Sequence, residues 1–484
     1  MSLKQKTISG IGWNAAGNVA RQLLQFITLV VMARYLSPDE FGVFAILMIF
    51  VTFMNIFGSM GISQVIIHLD NPDQRMLSSI FYFNIAVGII LFVMLYFLAW
   101  PIAGFFNNRD IVHLLQVIGI TFIISALTLV QQALLEKSMF FKRVVTLEIV
   151  ALTIGSAVGI IGALNGLGIY SLIISTLLTS GLFSIGLWCN SHWRPSLLFA
   201  FDDIRRVWDY SINLTGFNFI NYFARNADNF LIGKFIGSSM LGMYSVAYKI
   251  MLYPLEHISR VIVRVLFPAF SKVKHDNTRF KNGYLNAIIF IALVTFPVMT
   301  GLFAISETFV AVMFGNKWAG MAALLMIMAP IGMIQSIVTT IGSIYAAKGT
   351  TGLMFKIGAV NSVITVSSFI IGLPYGVEGV AIAYAGANLI MLYPNLKISW
   401  DQIGLGVFEG ASKLIPFFLT SAVMGAVVYL QGAWLAKSLN MTMVLILQIL
   451  TGIVIYTGML LLFYRPLILG MLMQLRTRED NVKL

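Results

Sequence analysis

Long apolar runs separated by short polar connections set the pattern of this chain. A transmembrane helix needs about 20 mostly apolar residues. The stretches 41–69, 76–108, 111–135, 149–193, 282–306, 319–347, 414–436 and 438–464 hold no Asp, Glu, Lys or Arg. The run at 149–193 exceeds one span and contains Asn165-Gly166-Leu167-Gly168, a turn signal that divides it. Together with spans that carry charges, the pattern predicts fourteen helices. They lie near 8–35, 41–63, 78–105, 111–136, 144–164, 167–189, 208–236, 241–268, 283–305, 319–347, 354–373, 377–396, 413–433 and 441–464. Strands of a membrane β-barrel would instead alternate over roughly ten residues. The expected fold is an all-α integral membrane protein.

Composition agrees. Of 484 residues 59% are apolar and 10% charged, against about 45–50% and about 25% in soluble proteins. Too little charge is present to coat a soluble enzyme, and too much apolar surface for a disordered chain. The net charge of +12 can signal nucleic acid in other settings; on a chain this apolar the bilayer is the expected partner, and no nucleic acid is. With the N-terminus in the cytoplasm, twenty-one basic residues fall in cytoplasmic segments and five on the opposite side. This bias predicts that both termini are cytoplasmic. Arg21 lies mid-span in the first helix, which lacks a small-residue cleavage site, so that helix reads as a span and not as a cleavable signal. Cys189 stands alone, which excludes an intrachain disulfide and a Cys-rich metal site. The connection from Asn190 to Trp208 reads as an amphipathic segment at the cytoplasmic interface.

Shifting the chain by 200 positions lays ARYLSPDEFGVFAI at 33–46 over GKFIGSSMLGMYSV at 233–246, so that Gly42 meets Gly242. Further on the register drifts, yet GFFNNRDIVHLLQ at 104–116 pairs with MFGNKWAGMAALLM at 313–326. NGLGIYSLI at 165–173 likewise pairs with YGVEGVAIA at 375–383. Six spans separate the copies, so both share one orientation. The expected organisation is a six-helix lobe at 1–206, a second at 207–400, and two extra helices with a basic tail at 401–484. Parallel repeats place a substrate site at their interface.

Five basic residues remain inside spans: Arg21, Arg225, Lys249, Arg260 and Arg264. Four acids accompany them: Glu148, Asp209, Asp228 and Glu256. A central Arg costs about 2.5–3.5 kcal/mol on insertion scales, so such residues line water or find partners. Asn14, Asn18, Arg21 and Gln25 recur at helical spacing on the first span, and Asn218, Asn221, Arg225 and Asp228 on the seventh. On the eighth, Lys249, Glu256, Arg260 and Arg264 share a side. Cavity lining and structural pairing both explain these charges. Arg21 lies too deep to snorkel and favours a cavity. Arg225 has Asp228 one turn away, Glu256 and Arg260 are spaced to pair, and Arg264 lies near the cytoplasmic end. Asp228 and Glu256 are candidates for ion coupling or for pairing. Pro254, Pro297 and Pro330 predict kinks within spans. The histidines form no metal-spaced pair, and neither a nucleotide-binding loop nor a nucleophile elbow occurs. A carrier without cofactor or metal, rather than an enzyme, is the expected class.

The segments MSLKQKTISGIGWNAAGN at the start, RVLFPAFSKVKHD at 264–276, MFGNKWAG at 313–320, GSIYAAKG at 342–349 and GVEGVAIAY at 376–384 carry a family likeness. They resemble the polysaccharide-transporter branch of the multidrug/oligosaccharidyl-lipid/polysaccharide exporter superfamily, in particular Wzx-type flippases of the colanic-acid-exporter kind. The resemblance implies two six-helix lobes around a cavity that opens to alternate sides. It also implies movement of an undecaprenyl-diphosphate-linked oligosaccharide across a bacterial inner membrane, with a polysaccharide polymerase and a chain-length regulator as further partners. Arg21, Arg225, Lys249 and Arg260 are then candidates for the diphosphate, and Asn14, Asn18, Gln25, Asn218 and Asn221 for sugar hydroxyls. Two other readings stay open: a cation-coupled multidrug antiporter, disfavoured by the excess of buried bases, and a membrane glycosyltransferase or polymerase, disfavoured by short external loops.

Overall fold

The structure is a computed structural model that describes residues 3–59, 63, 66–67, 72–201, 222–223, 225–259, 270, 273 and 275–463; the side chains of 3–12, 14, 15, 59, 256, 257 and 463 lie outside the description. Among the described residues every regular element is helical. Eleven stretches of the described residues are long and apolar enough to cross a membrane, and the longest, Thr351–Asp401, contains two helices. This is a multi-pass membrane protein. Twelve of the fourteen expected spans coincide with described helices, while those near 208–236 and 241–268 are described in part.

The chain divides into two compact units, Met1–Ser245 and Val246–Leu484. The first contains α1 (Leu3–Tyr35), α2 (Pro38–Ser59), α3 (Gln74–Phe106), α4 (Asp110–Ile118), α5 (Ile120–Lys137), α6 (Phe141–Leu164), α7 (Tyr170–Asn190) and α8 (225–235). The boundary falls inside α9 (Ser238–Pro254). Small residues let α6 and α7 approach closely: a Cβ on Gly159 would meet Ser175 Cβ at 2.7 Å and Ser171 O at 3.0 Å. In lipid such close packing replaces the hydrophobic drive that water supplies elsewhere. The turn between them is the expected one, with Gly166 and Gly168 at φ of +77° and +53°. Helix α3 starts at Asp73, whose side chain caps the Met76 amide, and ends with Asn107 in the left-handed region.

Two local differences from the apolar pattern have physical causes. The span near 111–136 breaks at Gly119 into α4 and α5, and the Thr121 hydroxyl takes the Ile118 carbonyl at 2.7 Å. Of the connection expected to be amphipathic, 202–208 lie outside the described residues, and residues 191–200 form no helix. They run along the start of α3, where the Ser79 hydroxyl accepts from the Ala200 amide at 2.9 Å and Ser78 from the Ser196 amide at 3.0 Å. Serine hydroxyls there satisfy backbone groups that a helix would have satisfied internally.

The second unit begins with the end of α9 and a π-helical turn at Leu255–Ser259. Pro254 lacks an amide hydrogen, and the wider turn follows directly after it. Pro297 and Pro330 lie within continuous helices. Next come α10 (Asn277–Met313), α11 (Met321–Val338), α12 (Ile341–Lys348), α13 (Thr351–Gly372), α14 (Gly376–Asp401), α15 (Val407–Leu435) and α16 (Met441–Phe463). The expected span 319–347 is interrupted between α11 and α12, where the Thr340 hydroxyl bonds the Ile337 carbonyl at 2.6 Å. Tyr284, Trp400, Phe280 and Phe417 form the centre of the core, with the Tyr284 hydroxyl 2.7 Å from Thr340 Oγ1 and accepting from Trp400 Nε1 at 3.1 Å. The last helix, α16, is tied to α10 by polar groups inside the apolar layer. Thr308 donates to Gln448 Oε1 at 2.6 Å, and Tyr456 donates to the Leu293 carbonyl at 2.8 Å.

Candidate functional site

Within the polar stripe of α1, Asn18 and Arg21 lie on the side that meets α6. Gly17 makes the approach possible, because a Cβ there would overlap the Val145 side chain. Lys142 lies over the Trp13 ring, 4.6 Å from its centroid, one turn before Val145. One turn beyond Gly17, the Arg21 guanidinium donates from Nη1 to Glu148 Oε1 and from Nη2 to Asn18 Oδ1. Arg21 is thus paired, yet its side chain stays 24% exposed and that of Glu148 34%. Such an ion pair neutralises both charges in the apolar layer while leaving a face of the guanidinium reachable. Gln25 is exposed on the same helix, and Thr28 turns its hydroxyl back onto the Leu24 carbonyl at 2.7 Å.

A second polar group forms where α8 meets α9. Asp228 is 2% exposed. Its Oδ2 accepts from the Tyr244 hydroxyl at 2.9 Å, and its Oδ1 from the Asn229 amide at 2.8 Å. The carboxylate is therefore engaged by Tyr244, sixteen positions away, while Arg225, one turn away, is exposed. In the second unit Lys249 is exposed on α9. Its neighbour Tyr248 lies 6.4 Å, ring to ring, from Tyr384, whose hydroxyl accepts from Gln335 at 2.5 Å. Asn218, Asn221 and Arg260 lie outside the described residues, as do the side chains of Asn14 and Glu256.

The structure thus brings together Asn18 and Arg21 with Glu148, and Asp228 with Tyr244. Sequence spacing flagged Glu148 only as an acid inside a span, because its partner is 127 positions away. Tyr244, Tyr384 and Gln335 gave no signal, since aromatic and amide residues in spans read as packing.

Residues 31–323 match a family described as "Polysaccharide biosynthesis protein". The chain is 28% identical over 356 residues to the "Teichuronic acid biosynthesis protein TuaB" of Bacillus subtilis, covering 73% of this chain and 74% of that one. To the "Lipopolysaccharide biosynthesis protein WzxC" of Escherichia coli it is 25% identical over 440 residues, covering 88% and 89%. Among solved structures, "Lipid II flippase MurJ, inward closed conformation" superposes with a TM-score of 0.77 at 20% identity, covering 95% of this chain and all of that one. That likeness establishes the fold, and the relatives agree with the resemblance read from the motifs.

Proposed function

The chain belongs to the polysaccharide biosynthesis protein family, and on that premise we propose that it is a flippase for a lipid-linked oligosaccharide. The substrate class is an undecaprenyl-diphosphate-linked oligosaccharide, carried by alternating access from the cytoplasmic to the outer leaflet of a bacterial inner membrane. A polysaccharide polymerase and its chain-length regulator would act on the product. Both termini are cytoplasmic in this reading.

Family membership over residues 31–323 carries the proposal. The chemistry of α1 supports it: a guanidinium in a membrane helix, neutralised by Glu148 and still partly exposed, suits a diphosphate able to exchange with that carboxylate. Arg225, Lys249 and Arg260 are the further cations assigned to the same anion. Asn14, Asn18, Gln25, Asn218 and Asn221 are assigned to the sugar path, and Asp228 or Glu256 to ion coupling. No chemical step on the substrate is assigned to this chain.

Deletion of the gene in its host tests the reading. Surface polysaccharide should disappear and lipid-linked units should accumulate in the cytoplasmic leaflet, with recovery on complementation. Normal surface polymer in the deletion strain would overturn it. Complementation with Arg21→Ala and with Lys249→Ala should fail; full recovery with both would remove the charge assignment.

A further inference from the structure

The first unit contains a cavity of about 460 Å³ bounded by α2, α3, α5 and α7. It is built from other helices than α1 and α6, which hold the Arg21–Glu148 pair. Its polar wall includes Asn55, Asn84, Ser125, Gln132 and Ser180, and among the described residues none that lines it is charged. Amides and hydroxyls facing a space within an apolar layer are costly unless that space holds hydrogen-bonding groups. Two of the amides have their nitrogens engaged: Asn84 Nδ2 donates to the Ala126 carbonyl at 3.0 Å, and Gln132 Nε2 to Glu136 Oε1 at 2.8 Å. These bonds leave carboxamide oxygens as acceptors, beside serine hydroxyls that both donate and accept. Phe122 and Phe183 supply aromatic surface to the same space.

An alkyl chain would leave the carboxamide oxygens without donors, and an inorganic or phosphate anion would find no cation among the described lining residues. A ligand dense in hydroxyl groups, with apolar C–H faces, satisfies both walls. The volume lies in the ~300–1,000 Å³ range of small-ligand pockets. We propose that this cavity is a subsite for neutral sugar residues of the glycan, separate from the groups that hold the diphosphate. The proposal rests on the flippase reading and refines it: charge selects the lipid diphosphate, and this pocket selects its carbohydrate.

Affinity for two probes tests it in the purified full-length protein: undecaprenyl diphosphate, and the same lipid carrying a neutral hexose trisaccharide. Wild type should bind the glycosylated probe about 10-fold tighter or more, as one or two net hydrogen bonds allow. Asn55→Ala and Gln132→Ala remove carboxamides from the wall, and each should cut that ratio by roughly 2- to 10-fold. Ser125→Phe and Ser180→Phe, which fill the space, should bring it close to one. An unchanged ratio in the truncation and filling variants would overturn the subsite. So would a wild-type ratio of one with the bare lipid still bound, the result expected if water alone occupies the cavity. Wild type that binds neither probe would instead overturn the flippase reading beneath it.

Discussion

Gly42 and Gly242 align when the sequence is shifted by 200 positions, and in the first unit they touch. A Cβ on Gly42 would fall on the Ser238 carbonyl oxygen and 3.0 Å from the Gly242 nitrogen; one on Gly242 would fall on the Pro38 carbonyl oxygen and 2.9 Å from the Gly42 nitrogen. Pro38 and Ser238 are also aligned at the 200-position offset, so the contact is its own mirror under a local two-fold exchange. It joins the N-terminal turns of α2 and α9, and beside it the Ser238 hydroxyl donates to Asp39. A methyl group at either glycine would have to displace backbone, which no side-chain rotation can relieve.

Gly42→Ala and Gly242→Ala should therefore each destabilise the protein, by about 1–3 kcal/mol as for other overpacked sites. Because both methyls press on one contact, the double variant should cost clearly less than the sum. Thermal unfolding of the three variants in detergent checks this, and additive losses would mean that the two glycines act separately.

The Arg21–Glu148 pair predicts an asymmetry between breaking and replacing. Glu148→Ala strands a guanidinium and should cost about 1–3 kcal/mol, discounted because both side chains are partly exposed. Replacing both partners, as Arg21→Met with Glu148→Leu, should recover most of that stability while abolishing export of polymer. Recovery of export by the double variant would show that this pair takes no part in transport.

Tyr244→Phe removes the hydroxyl that serves Asp228 and should cost about 1–3 kcal/mol, the penalty of an unsatisfied buried group. If Asp228 couples transport to an ion, Asp228→Asn should keep substrate binding and lose dependence on the ion gradient. Transport by reconstituted Asp228→Asn at the wild-type rate, still driven by the gradient, would exclude that role.

Cys189, the single cysteine, is exposed at the end of α7. With the N-terminus cytoplasmic, a membrane-impermeant maleimide should label it in inside-out vesicles and leave it unlabelled in intact cells. The reverse pattern would invert the topology.

The helices were readable from sequence because a bilayer forces backbone hydrogen bonds inside each span, and apolar runs mark the spans strongly. The turn at Asn165–Gly168 was readable for the same reason as any glycine-rich reversal. Breaks that leave a helix on its course, at Gly119 and Thr340, carry no apolar signature and were missed. The polar stripe placed Asn18 and Arg21 together correctly, since a three-residue spacing is a local property. Partners supplied by another helix were not readable. Local spacing pointed from Asp228 to Arg225, whereas tertiary packing delivered Tyr244. A 200-position shift aligned Gly42 with Gly242, but alignment alone does not say that aligned residues meet.

Flipping itself is the most direct measurement. The purified protein, reconstituted in liposomes with an undecaprenyl-diphosphate-linked oligosaccharide on one leaflet, should expose that glycan on the other leaflet to an impermeant glycosidase. The account predicts transfer by wild type, and loss of most of it in Arg21→Ala at equal protein content. No transfer by correctly folded wild type under any imposed ion gradient or membrane potential would contradict it.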